Sequence, residues 1–229
     1  MNTRNGALAV LASALACTAP AATAATPTTV NVRIEAPSKT IFEGPVTPAV
    51  QSVDGDGTGP HKCDGTNGGA GTVAGATPTS LLDTAVRGSG QSWAGSFNAS
   101  FDDFLVNRIG ARSSTKSQFW GVAVDGKSLE VGGCQKVVTA GHDVLWAFDS
   151  FGKKLLHASG PKQVGVGKVA SFKVIDTENG TPVAGAKIGG AKTNANGVAK
   201  LSFKRAGARR FKATAPKSIR SNQLKLTVR

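Results

Sequence analysis

Three histidines, His61, His142 and His157, are the side chains best suited to move protons near neutral pH. None stands at a consistent spacing from a serine or cysteine that could act as nucleophile. Gly90-Gln-Ser92-Trp-Ala-Gly95 misses the G-x-S-x-G nucleophile elbow by one residue and follows an expected helix, where the elbow needs a strand. Asp102 and Asp103 are adjacent, so on a strand they face opposite sides and cannot flank one bond. Asp54-Gly-Asp56-Gly-Thr58, with Asp64 further on, is as oxygen-rich as a calcium loop but lacks the distal bidentate glutamate. These residues are expected in turns and on the surface. No catalytic residue, metal ligand or cofactor is assigned.

Cys63 and Cys134 are the cysteines left once a secretory segment containing Cys17 is removed. An even pair in an exported chain is expected to form a disulfide, and the long loop it closes is worth about 4 kcal/mol at best. His61 adds only a His-x-Cys, and no CxxC spacing surrounds either cysteine. Trp120 and Trp146 fall at strand spacing, where aromatic rings usually build a core. In Phe119-Trp120, however, one ring must leave the sheet face that holds the other. An exposed indole would be a ligand platform, which makes Trp93, Trp120 and Trp146 the ligand-binding candidates.

Charge is divided unevenly. Residues 161–229 hold 15 Lys or Arg against two acids, Asp176 and Glu178, whereas residues 26–160 hold 11 against 12. Such a surface creates a field of several kT that concentrates polyanions. Lys204, Arg205, Arg209 and Arg210 flank an expected hairpin turn and, with Lys212, are the polyanion-binding candidates. Nucleic acid fits the charge, but export and the lack of base-stacking aromatics argue against it. An anionic cell-wall polymer or membrane surface fits both facts, beside the plainer alternative of a generic basic surface.

The N-terminus carries Arg4, an apolar run from Gly6 to Ala16 and Ala22-Thr-Ala24, the organisation of a signal peptide over residues 1–25. The expected location is therefore extracellular, with cell-surface association. Lipidation at Cys17 is the alternative, but Ala14 stands where such a site usually has a large aliphatic residue.

Val30, Val32 and Ile34 alternate with Asn31, Arg33 and Glu35, which predicts a half-buried strand. Thr40–Val46 is its hairpin partner. Residues 48–78 are rich in Gly, Pro, Thr and Ala and hold too little apolar surface to order themselves, so a tether at Cys63 must pin them. Thr77-Pro-Thr-Ser precedes Leu81, Leu82, Ala85 and Val86 and predicts a helix ending at Gly88. Further strands are expected at 101–109, 118–124, 128–131 and 144–148, with a hairpin turn at Asp125-Gly126. Beyond a linker at 159–164, strands are expected at 168–175, 183–188, 198–203, 210–215 and 224–228, separated by Asn179-Gly180 and Asn196-Gly197.

Thr29-Val-Asn-Val-Arg-Ile-Glu35, the helix Leu81–Val86, Phe119-Trp-Gly-Val-Ala-Val-Asp-Gly126, Gly132-Gly-Cys134 and Ala140–Phe148 resemble the transcobalamin-like C-terminal domain family. That resemblance implies a β-grasp-like module over residues 26–158, a sheet holding one helix. In vitamin B12 carriers a related domain closes over a corrinoid already held by a helical barrel, and this chain has no run of paired helices. Gly180-Thr-Pro-Val-Ala-Gly-Ala186 followed by Thr193-Asn-Ala-Asn-Gly197 is similar to bacterial immunoglobulin-like or carboxypeptidase-regulatory-like modules, which implies a spacer or adhesive unit over 165–229.

The expected fold class is therefore mainly β, a β-grasp-like α+β domain followed by a small immunoglobulin-like antiparallel sandwich. The expected function is a secreted, envelope-associated, non-enzymatic binding or adhesion protein. Extracellular capture of a small molecule, corrinoid-like or otherwise, is the alternative, and a hydrolase stands third.

Overall fold

Val30, Val32 and Ile34 are buried along β1 (Val30–Glu35), and the strand runs antiparallel to β2 (Thr40–Val46) through a short hairpin. The architecture that grows from this hairpin is a computed structural model describing residues 29–229. The expected signal segment, its expected cleavage site and Cys17 lie outside the described residues. β2 is a free sheet edge and carries Pro45 opposite Asn31.

The helix α1 (Pro78–Gly88) starts where its hydroxyl residues predict. Thr77 Oγ1 accepts the Ser80 N–H at 3.2 Å, and the Thr77 N–H donates to Ser80 Oγ at 2.9 Å, a reciprocal capping box. Leu81, Leu82, Ala85 and Val86 are buried in the core that β1 also lines. Next come β3 (Trp93–Asn98), β4 (Asp103–Ile109) and β5 (Arg112–Ser113), which form their own antiparallel sheet. β6 (Trp120–Val124), β7 (Lys127–Ser128) and β8 (Asp143–Phe148) complete the first sheet in the order β2-β1-β8-β6-β7. Only the central pair, β1 and β8, is parallel. Asp125 and Gly126 both have positive φ, at 50° and 75°, as the tight turn between β6 and β7 requires.

The Gly-rich stretch before the helix is held by three devices. Cys63 and Cys134 form a disulfide. Val53 and His61 exchange backbone hydrogen bonds. The buried Asn67 amide donates to the carbonyls of Lys62 and Asp102 at 2.9 and 2.8 Å.

The remaining strands are β9 (Lys154–Ser159), β10 (Gln163–Val164), β11 (Val169–Asp176), β12 (Lys187–Ile188), β13 (Ala191–Lys192), β14 (Val198–Ser202), β15 (Gly207–Phe211), β16 (Ser218–Ile219) and β17 (Leu224–Val228). They form a four-stranded sheet β14-β11-β9-β16, a three-stranded sheet β10-β17-β15 and the small β12-β13 pair. Leu156, Ala158, Ala170, Phe172 and Val174 bury against Leu226 and Val228 in one core, where the rings of Phe172 and Phe211 meet edge to face at 5.1 Å.

Several expected boundaries are corrected. β9 pairs with β11 and β16, so Lys154–Ser159 belongs to the second unit, and the linker expected at 159–164 runs inside it as far as β10. The strand expected at 101–109 starts at Asp103, because Asp102 has a positive φ of 49°. The strands expected at 128–131 and 183–188 are short, ending at Ser128 and starting at Lys187. β3 was not expected at all.

The face of the first sheet away from α1 is covered by the second unit. Ala123, Leu145 and Ala147 pack against Leu155 and Ile219. The layers are thus α1 with the β3-β4-β5 sheet, the five-stranded sheet, the four-stranded sheet and the β10-β17-β15 sheet.

Candidate functional site

The two acids of the last third are both engaged, Asp176 inside the second unit and Glu178 across to Ser128 of the first. Asp176 is buried, and its Oδ1 accepts the backbone N–H groups of Leu155 at 3.1 Å and Glu178 at 3.2 Å. Glu178 Oε1 accepts the Ser128 N–H at 2.8 Å as well as the Ser128 hydroxyl. The outward surfaces of the second unit therefore carry cations without carboxylates among them.

The five cations singled out from the sequence do not form one cluster. Lys204 is exposed at the turn between β14 and β15. Arg209 donates to the carbonyls of Ala208 at 3.0 Å and Arg205 at 2.9 Å, and its guanidinium lies 6.0 Å from the Phe203 ring centroid, so Arg205 and Arg209 stiffen the hairpin. Arg210 alternates to the other side of β15. There it stands directly opposite Lys225 of β17.

Lys212 corrects the expectation outright. Its ammonium pairs with Glu35 and lies 2.6 Å from Glu43 Oε2, both on the first unit, with its side chain only 11% exposed. Arg220 donates to Glu35 Oε2 at 2.6 Å, and Arg33 donates to the Arg220 carbonyl. Lys212 is thus part of a half-buried ionic joint between the units and is withdrawn from the polyanion-facing set.

In its place the fold adds Lys162 and Lys225. Together with Arg210 they line an open groove of about 650 Å³ on the outer face of β10, β17 and β15. None of the three is in an ion pair among the described residues. The missed signal was alternation: in Leu224-Lys-Leu-Thr-Val228, Leu226 and Val228 face the core, so Lys225 must face out.

All three tryptophans are buried, which corrects their candidacy as exposed platforms. Each indole N–H is already satisfied: Trp93 donates to Asp83 Oδ1 at 2.8 Å, Trp120 to the Arg112 carbonyl at 3.1 Å and Trp146 to the Pro78 carbonyl at 3.1 Å. Of the Phe119-Trp120 pair, Phe119 is the outward ring.

A second cavity, of about 480 Å³, opens between the units beside the ionic joint, with Arg33, Asp125, Asp143, His157 and Asn222 in its lining. Burial pulls the Arg33 pKa below the ordinary arginine range against the opposing pull of Glu35, Glu43 and Asp143, and burial likewise lowers that of His157. His142 Nδ1 sits 2.8 Å from Asp125 Oδ2.

The remaining reactive residue types are dispersed. Ser92 Oγ accepts from Arg108 at 3.1 Å, and His61 stacks on Phe97 with centroids 3.9 Å apart. Asp54 accepts the Gly57 N–H, Asp56 the Thr58 N–H and hydroxyl, and Asp64 the Thr66 N–H and hydroxyl. Those bonds hold the Asp56 and Asp64 carboxyls below the usual range. Each aspartate closes its own turn, and no group of three His, Cys, Asp or Glu is arranged for a metal among the described residues. Asp103 is buried, and its carboxylate accepts the Cys134 N–H at 3.0 Å; burial raises its pKa to about 6.

Compared with known proteins, the sequence matches no protein-family model and no curated protein.

Proposed function

We propose that this is a secreted, non-enzymatic binding or adhesion protein held at the cell envelope, with its basic C-terminal unit contacting anionic surface polymers. On this reading the first unit is a β-grasp-like module related to the transcobalamin-like C-terminal domains, and the second is an immunoglobulin-like spacer. The sheet order β2-β1-β8-β6-β7 with one helix on one face, followed by two stacked antiparallel-rich sheets, supports that description. The observation that carries the function is the placement of acids: Asp176 is spent on backbone N–H groups inside the second unit and Glu178 on Ser128 of the first, so the outer faces keep an uncompensated positive field.

Exposed charge pairs are screened by salt, with a Debye length of about 10 Å at 0.1 M and about 3 Å at 1 M. Envelope fractions should retain the protein at low ionic strength and release it on washing at about 1 M salt. Retention that ignores salt would remove this role from the basic unit.

The cleft between the units supports a second reading, capture of a small ligand, because charged and polar side chains of both units line it. Titration calorimetry against corrinoids and sugars tests it. Heat that disappears in Arg33→Ala would place the ligand there, and silence across the panel would leave the cleft as solvent between packed units.

A further inference from the structure

We infer that the outer face of β10, β17 and β15 is a docking groove for one linear polymer of repeating phosphate groups. This rests on the envelope-binding reading above and gives it a specific address. The observation is the pairing of Arg210 with Lys225 across the β15–β17 ladder. Like charges directly opposite on one sheet face destabilise it, and no carboxylate among the described residues relieves this pair. Lys162 adds a third cation to the same concavity. A fold that keeps such a row bare is arranged for a counter-charge supplied from outside.

The floor and walls narrow the partner. Ala208 and Thr227 pair beside the cationic row, so small side chains let a chain come close to the backbone there. Ser159, Gly160 and Pro161 raise one side. No aromatic ring lines the groove, so nothing stacks on sugar faces or bases, and charge is the feature it can read. Arginine presents a fork of N–H donors and lysine a mobile point charge. A tetrahedral phosphate offers non-bridging oxygens to both at once, and a phosphate chain repeats that charge along the row. A concave trough also suits an extended chain better than a flat bilayer.

The test uses the full mature chain and long-chain polyphosphate, with binding measured between about 50 and about 300 mM salt. Each cation near an anionic surface contributes a factor of about five. Arg210→Gln/Lys225→Gln should therefore weaken binding roughly thirty-fold and reduce the salt slope by about two. Its thermal midpoint should be unchanged or higher, since opposed like charges are removed. The control Lys173→Gln/Lys200→Gln removes the same charge from exposed positions of β11 and β14 that do not line the groove and should cost less than about five-fold.

Equal losses in the two double variants would overturn the groove while leaving envelope binding through the whole basic unit intact. Absence of any polyphosphate binding by the unaltered chain at low salt would overturn both. Tighter binding to polyglutamate of matched charge, or to vesicles of phosphatidylglycerol, would overturn the phosphate-chain assignment.

Discussion

Arg220 donates to Glu35 Oε2 at 2.6 Å, and the two residues come from opposite units of the chain. Glu35 is 2% exposed and also receives Lys212 and the Thr40 hydroxyl. Breaking a buried, multiply bonded ion pair by removing one partner typically costs about 3–5 kcal/mol, far above the cost for an exposed pair. Glu35→Gln should therefore destabilise the chain by about 3 kcal/mol in urea unfolding. A loss under about 1 kcal/mol would mean that water screens the joint as it does a surface pair.

Asp103 sets a pH dependence. Its folded pKa, raised by burial to about 6, lies above the unfolded value of about 3.9. The folded state thus binds its proton more tightly, and this residue's contribution is fully present below pH ~4 and lost as pH rises through ~6. The stability difference between the unaltered chain and Asp103→Asn should move in favour of the unaltered chain as pH drops from 7 to 5. A difference that stays flat over that interval would show that Asp103 keeps an ordinary pKa.

The Cys63–Cys134 bond spans 71 residues of sequence and holds the Gly-rich stretch to the loop before β8. Chain entropy assigns such a loop about 4 kcal/mol. Cys63→Ala/Cys134→Ala should lose up to that amount, and limited proteolysis should cut first between residues 54 and 75. Unchanged protease resistance would assign the ordering to Asn67 and its two carbonyl partners instead.

Thr77 serves the helix and the disulfide loop at once. Its hydroxyl caps Ser80 N–H and lies 3.2 Å from the Cys63 carbonyl. Thr77→Ala should cost about 1–2 kcal/mol by thermal unfolding, whereas Thr77→Ser keeps both bonds and should stay close to the original. Equal losses in the two variants would point to the lost methyl group as the cause.

Much of this was legible from spacing. β1, β17, the helix and the Asp125-Gly126 turn all sit where one-sided alternation, a hydroxyl cap or a positive-φ dipeptide demands them. β9 was not legible, because Leu155 and Leu156 are consecutive: one packs on the first unit and the other fills the second unit's core. A strand buried on both faces shows no period of two. β3 was hidden by its Gly, Ser and Asn content, which reads as loop. Lys212 sits among Arg209, Arg210 and Lys217 and reads as one more surface cation. Its partner Glu35 is 177 residues away, a separation at which no local pattern carries information.

Pro45 on the free edge of the five-stranded sheet bears on what would happen if many copies gathered on one charged filament. Proline has no amide hydrogen to offer an incoming backbone, so the ladder that this rim could extend to another strand is broken at Pro45. Crowded neighbours would then be less prone to knit into an insoluble ribbon.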